Sequence, residues 1–147
     1  MENKLKEFII YARAETYASG RGPKIDRGKT YFLIKEGLEY QDIYYDQEKV
    51  FQGQEVIFSN GRAIWSFSYR GIVNDDSSSN EVFFFLKKSL LNQISKARSY
   101  TTCSMASEKW KYSCEGIGNF EDFSGEETIY FENTPVYLMK YFAGVIK

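Results

Sequence analysis

Two glutamates occur in the same short context, Phe51-x-Gly53-x-Glu55 and Phe123-x-Gly125-x-Glu127. Two carboxylates brought together can do acid/base work when their surroundings drive their pKa values apart. Matching glutamates in matching contexts are also what a purely structural role produces, as turn caps or surface residues. A second group is Tyr40-x-Asp42-x-Tyr44. Alternate residues of a strand share a face, so these three project together, near Trp65 and Tyr69 if the strands pair. An aspartate among aromatic rings suits a small cationic or ring-shaped ligand. It equally suits a core position with a tyrosine hydroxyl, or the guanidinium of Arg13, as its partner. A third group is the basic, glycine-rich stretch carrying Arg21, Lys24, Arg27 and Lys29, whose backbone N–H groups and cations can hold an anion. Arg13, Thr16 and Tyr17, at the end of the preceding segment, stand where they would touch it. The candidate ligand-binding residues are therefore Arg13, Tyr17, Tyr40, Asp42, Tyr44 and Glu55.

What is missing narrows the chemistry further. The chain has no histidine, which removes Ser-His-Asp and Cys-His catalysis, histidine bases and the common zinc and iron sites. Cys103 and Cys114 do not form a short metal-binding pair and have no basic neighbour in sequence to activate them, so they read as small buried residues. No catalytic set, metal site or cofactor motif emerges. Nineteen basic against twenty acidic residues give no concentrated positive face for direct nucleic-acid binding. No apolar run approaches the ~20 residues of a membrane span, and the N-terminal Met1-Glu2-Asn3-Lys4 shows no signal-peptide core. These features point to a cytoplasmic protein without membrane contact.

The groups need elements to position them. Leu5, Phe8, Ile9 and Ala12 form one helical stripe within residues 4–17. Strands follow at 30–35 and 38–45, the latter placing Leu38, Tyr40, Asp42 and Tyr44 on one face. Asn60-Gly61 is a strong two-residue hairpin signal between strands 54–59 and 62–69. A regular hairpin there sets Ser59 opposite Arg62, Phe58 opposite Ala63 and Val56 opposite Trp65. Val56, Phe58, Trp65, Phe67 and Tyr69 then line the core, and Glu55 and Ile57 the other face. Ser78-x-x-Glu81 has the capping-box pattern for a helix reaching about Lys96. Its stripe is Phe83, Leu86, Leu90, Ile94 and Ala97, widened by Phe84 and Leu91. Further strands are expected near 100–105, 108–114, 126–131 and 135–142. At 147 residues with 12 Tyr and 12 Phe, the chain fits one domain, burying roughly 70% of its extended surface, and leans toward sheet.

The two glutamate contexts are part of a repeat. At an offset of 72 residues, Tyr40 matches Tyr112, Ile57 matches Ile129 and Tyr69 matches Tyr141. One inserted residue then aligns Gly71-Ile72-Val73 with Gly144-Val145-Ile146. Each half, 1–73 and 74–147, runs helix then strands, as a duplicated αββββ unit would. The fold expected is α+β, an internally duplicated helix-plus-antiparallel-sheet unit, as one continuous or barrel-like sheet with two helices. Gly53 and Gly125 would serve a turn or bulge entering each hairpin, anchored by Phe51 and Phe123. Against this symmetry, Asp42 and Tyr44 become Cys114 and Gly116, so the site is expected in the first half.

Taken together, Ala14-x-Thr16-Tyr17-Ala18, Tyr40-x-Asp42-x-Tyr44, Phe51-x-Gly53-x-Glu55-Val56, Trp65-x-x-x-Tyr69-x-Gly71 and Phe123-x-Gly125-x-Glu127 resemble a family of small bacterial domains of unknown function. Its members stand alone or follow a Cro/repressor-type helix-turn-helix, and some are labelled negative effectors of an extracytoplasmic-function sigma factor. Lys96-Ala97-Arg98 departs from that pattern, which often has an Arg-Gly-Pro-like turn there. The resemblance implies a bacterial cytoplasmic setting and hints at regulation. The favoured reading is a non-catalytic small-molecule-sensing or protein-interaction module, its partner a small molecule or a regulatory protein. The alternatives are a small-molecule enzyme using carboxylate or tyrosine chemistry, with Glu55, Glu127 or Tyr side chains, and a homo-oligomeric structural domain, such as a homodimer, using an aromatic face.

Overall fold

The structure is a computed structural model. It describes residues 2–20, 29–74 and 77–147, together with 25 and 26; for 25, 26 and 29 the backbone alone is described. The basic stretch 21–29 proposed to hold an anion thus lies almost wholly outside the described residues. Helix α1 spans Glu2–Arg13 and buries Leu5, Phe8, Ile9 and Ala12, the predicted stripe. It runs into a π-helical turn, Ala14–Ala18, where the Thr16 hydroxyl donates to the Ala12 carbonyl and competes with the regular backbone bond. The strands are β1 (Ile25–Asp26), β2 (Lys29–Lys35), β3 (Leu38–Gln47), β4 (Val50–Ser59) and β5 (Arg62–Val73), followed by helix α2 (Ser79–Asn92). After it come β6 (Cys103–Ser107), β7 (Trp110–Asn119), β8 (Asp122–Phe131) and β9 (Thr134–Val145).

All nine strands form one antiparallel sheet in the order β1-β2-β3-β4-β5-β9-β8-β7-β6. It is continuous and open: β1 and β6 are its edges, so the barrel-like variant does not occur. The fold is α+β, with both helices packed on one sheet face.

Strands β3, β4 and β5 recur as β7, β8 and β9 with every boundary displaced by 72 residues. Both halves carry a bulge at the same place, between Ile57 and Phe58 on β4 and between Ile129 and Tyr130 on β8. The turn residues Asn60 and Gly61 have positive φ, and so do their counterparts Glu132 and Asn133. The halves join through β5 and β9, where Tyr69 lies opposite Tyr141, its own counterpart. A local two-fold axis therefore passes between these tyrosines. It relates the hydrogen bond from Ile146 N to Ile64 O to that from Asn74 N to Val136 O. The correspondence stays at 72 to the ends of β5 and β9, so the predicted one-residue insertion is absent.

Three local expectations are corrected. The hairpin begins as predicted, with Ser59 opposite Arg62 and Phe58 opposite Ala63, but Trp65 then faces Ile57 rather than Val56. The bulge leaves Ile64 unmatched and moves the whole of β4 by one place. Glu55 and Ile57 consequently lie in the core, and Val56 and Phe58 on the other face. Gly53 and Gly125 are not at turns. They sit within β4 and β8, where a Cβ would collide with the hydroxyls of Tyr69 and Tyr141. On α2, the buried residues are Val82, Phe85, Leu86, Ser89 and Leu90, whereas Phe84 is 75% exposed and Leu91 is exposed as well. Ser78 occupies the N-cap position but makes no side-chain cap bond.

Candidate functional site

Buried charge defines the centre of the molecule. The buried charged residues among those described are Arg13, Asp42, Glu55, Arg98 and Glu127. Arg13, at the end of α1, donates through Nε to Glu55 Oε2 at 3.0 Å and through Nη1 to the Arg98 carbonyl at 3.0 Å. Its guanidinium lies over the rings of Phe67 and Trp65, 4.7 and 5.8 Å from their centroids. Arg98, in the turns after α2, grips Glu127 with two bonds, Nε to Oε2 at 3.1 Å and Nη2 to Oε1 at 3.0 Å. Tyr112 and Tyr137 each donate a 2.7 Å bond to the same carboxylate.

The two glutamates are therefore symmetric counterparts, each with its own arginine. A charge pair of this kind holds geometry, because removing one partner strands the other in a medium that cannot solvate it. Neither carboxylate lines the principal cleft. Their roles differ in degree. Glu127 is fully satisfied, whereas on the Glu55 side the Tyr137 position is Trp65, whose indole N–H has no partner, and Arg13 Nη2 has none either.

Asp42 stands next to this network. It pairs across β3 and β4 with Glu55, is 3% exposed, and accepts a 2.7 Å hydrogen bond from Tyr69 through Oδ1. The Tyr69 ring can reach it because Gly53 has no side chain between them. Burial first, and then the charge of Glu55, push the Asp42 carboxyl from its ordinary 3.8 up to about 7; the Tyr69 bond and the two arginines pull the other way.

Above Asp42 opens a cleft of about 250 Å³. Tyr17, Tyr31, Tyr44, Tyr69, Phe51 and Phe83 form its aromatic wall, and Asp46, Glu48, Asn80, Lys87 and Arg98 also line it. Tyr31 and Tyr44 stack with centroids 6.2 Å apart, and Tyr17 meets both edge-on at 6.3 and 6.2 Å. Of the six residues predicted from sequence, Tyr17, Asp42 and Tyr44 line this cleft. Arg13, Tyr40 and Glu55 sit behind it around a void of about 10 Å³, again with Tyr17. Tyr31, Tyr69, Phe51 and Phe83 were missed as wall residues. Tyr31 was within reach of sequence reasoning, since it falls directly opposite Asp42 once β2 and β3 pair.

Among the described residues, the second half is built differently at the equivalent place. Gly116 replaces Tyr44, and a Cβ there would lie 2.0 Å from the Ser99 carbonyl oxygen and 2.7 Å from the Tyr100 carbonyl carbon. The backbone between α2 and β6 thus takes the place that the Tyr44 side chain holds in the first half. Beneath it, Cys114 replaces Asp42 and interacts with Tyr141 at 3.2 Å, the counterpart of the Asp42–Tyr69 bond. Cys103, the counterpart of Tyr31, lies opposite Cys114. Its thiol bonds to Cys114 and holds that group down to about 7, with further bonds from Tyr141 and the Arg98 backbone. Both cysteines are buried and free.

An open antiparallel sheet built from two like halves, with two helices on one face and an aspartate-floored cleft in one half, defines an α+β domain. A family model described as a domain of unknown function, DUF5680, matches residues 42–146. This is well over half of the chain, and the protein belongs to that family. No curated protein and no solved structure shows significant similarity to it.

Proposed function

We propose that this domain is a non-catalytic small-molecule-sensing module of a bacterial cytoplasmic protein, serving a regulatory role, and that its ligand occupies the cleft over Asp42. The observation that carries the reading is the asymmetry between halves. The place taken by the protein's own backbone beside Gly116 belongs, in the first half, to the Tyr44 side chain, which lines the cleft with Asp42. An aspartate and a tyrosine kept at a cleft by one copy of a duplicated unit, and replaced by Cys114 and Gly116 in the other, are a divergence that core packing alone does not call for. Sites of this kind combine apolar walls with a few placed polar groups, which matches six aromatic side chains around one buried carboxyl. The non-catalytic reading is supported by Glu55 and Glu127, the carboxylates of the enzyme alternative, both being paired with arginines in the core. No helix among the described residues is long and apolar enough to cross a membrane.

A homodimer is the second reading, favoured by one observation. The sheet face away from the helices exposes Tyr45, Ile72, Leu138 and Phe142, and Tyr45 and Phe142 line a shared broad groove.

Native mass spectrometry after incubation with the low-molecular-weight fraction of a bacterial extract tests the ligand reading. The wild-type chain is expected to retain an adduct that Asp42→Asn weakens at least tenfold while staying folded. An adduct undiminished by that change would place the binding site elsewhere.

A further inference from the structure

We infer that the cleft takes a small organic cation, an ammonium or amidinium group seated among Tyr17, Tyr31 and Tyr44 with Asp42 as its counter-charge. The inference rests on the cleft being a ligand site and adds the ligand's chemical class.

The argument begins with a count of charge. Among the described residues the interior holds three carboxylates, Asp42, Glu55 and Glu127, and two guanidiniums, Arg13 and Arg98. Arginine stays protonated in proteins. Each guanidinium is committed to a glutamate, Arg13 to Glu55 and Arg98 to Glu127. Asp42 is left over. It receives a neutral hydrogen bond from Tyr69 and has no ion pair among the described residues. An ionised carboxylate so buried costs several kcal/mol unless a positive charge compensates it. Among the described residues, whenever Asp42 is ionised the buried groups are therefore one positive charge short, at the floor of the cleft.

The wall says what kind of charge fits. Aromatic faces attract cations through the ring quadrupole, most strongly where water is excluded, and clusters of such rings are the usual seat for alkylammonium groups. The cleft already shows the contact: Lys87 Nζ lies 5.4 Å from the centroid of the Tyr17 ring. A metal ion is the wrong cation here. Hard ions need several oxygen ligands, and the described residues contain no group of three or more His, Cys, Asp or Glu side chains able to hold one. The volume of about 250 Å³ lies just below the ~300–1,000 Å³ of sites for drug-sized molecules, so the cation is compact. An anion would instead have to approach Asp42, Asp46 and Glu48, three carboxylates of the lining against Lys87 and Arg98, the latter already paired with Glu127.

The test compares isosteres of different charge on the intact chain. Tetramethylammonium and benzamidinium are titrated at pH 8 and pH 5.5, beside neutral benzamide and anionic benzoate, with two-dimensional NMR following the tyrosines of the cleft. The cations are expected to bind at least tenfold more tightly than the neutral probe at pH 8. That preference should shrink about tenfold or more at pH 5.5, where a proton competes for Asp42. Asp42→Asn should abolish the preference with the NMR spectrum still that of a folded protein. Should Asp42→Asn unfold the chain, the pH dependence of the wild type decides alone. Benzamide or benzoate binding in the cleft as tightly as benzamidinium would overturn the cation while leaving a ligand cleft in place. No shift of cleft tyrosines with any probe would overturn both readings.

Discussion

Asp42 ties stability to pH at the scale of one residue. Its carboxyl ionises near 3.8 when exposed and near 7 in the fold. Between these values the native state holds a proton that the unfolded chain has released. The unfolded state then binds fewer protons, so stability falls as pH rises through this window and levels off above it. The slope contributed is about 1.4 kcal/mol per pH unit. Asp42→Asn keeps the side-chain size and can still accept the Tyr69 bond, but it cannot titrate. Urea unfolding from pH 4 to pH 8 should show wild type losing stability relative to the variant; parallel profiles would mean that native Asp42 is charged throughout, as in the unfolded chain. The position of this residue was legible in sequence, because strict alternation from Leu38 to Tyr44 fixes one face. Glu55 was not. Its side depends on a bulge at Ile64, and nothing in Ala63-Ile64-Trp65 marks one residue as unmatched.

At the scale of elements, α2 shows where pattern reading fails and what that failure predicts. Three consecutive phenylalanines, Phe83-Phe84-Phe85, mark an apolar helix but give it no rotational phase. A stripe extended through Ile94 and Ala97 assumes a helix reaching Lys96, whereas the helix stops at Asn92. The true phase puts Phe85 against Trp110, ring centroids 5.4 Å apart, and Phe84 into solvent. Phe85→Ala is therefore expected to cost about 3–5 kcal/mol. Phe84→Ser should stay within about 0.5 kcal/mol of wild type. Urea midpoints distinguish the two, and a large loss at Phe84 would show that its face of α2 is covered. The first helix was easier to read because the charged Lys4, Lys6 and Glu7 flank Leu5 and set the phase that Phe8, Ile9 and Ala12 continue.

At the scale of the whole molecule, the repeat offset was legible from matched aromatic positions, but the way the halves lock together was not. It arises from contacts between residues far apart in sequence. Strands β5 and β9 pair along their length, from Trp65 opposite Val145 to Val73 opposite Tyr137. Aromatic rings cross the local axis in related pairs: Phe51 with Tyr137 at 6.0 Å, and Phe123 with Trp65 at 6.4 Å. The helices cross as well. From α1, Lys6 lies over Tyr100 and Phe120 of the second half, while from α2, Phe83 packs on Phe51 of the first at 5.8 Å.

Such interleaving leaves neither half a core of its own, so the two should unfold in a single cooperative step despite their resemblance to separate units. The two tryptophans allow this to be measured, since Trp65 lies in the first half and Trp110 in the second. Trp110→Phe leaves fluorescence reporting on the first half, and Trp65→Phe leaves it reporting on the second. Within each variant, the urea transition followed by fluorescence is expected to coincide with that followed by far-UV circular dichroism, which averages over the whole sheet. If the halves were independent, the fluorescence midpoint of at least one variant would depart from its circular dichroism midpoint. The circular dichroism trace would then broaden or split into two steps. Coincident transitions would instead tie the cleft over Asp42 to the whole fold, because its walls rest on the β5–β9 seam and on the Arg13–Glu55 and Arg98–Glu127 pairs beneath them.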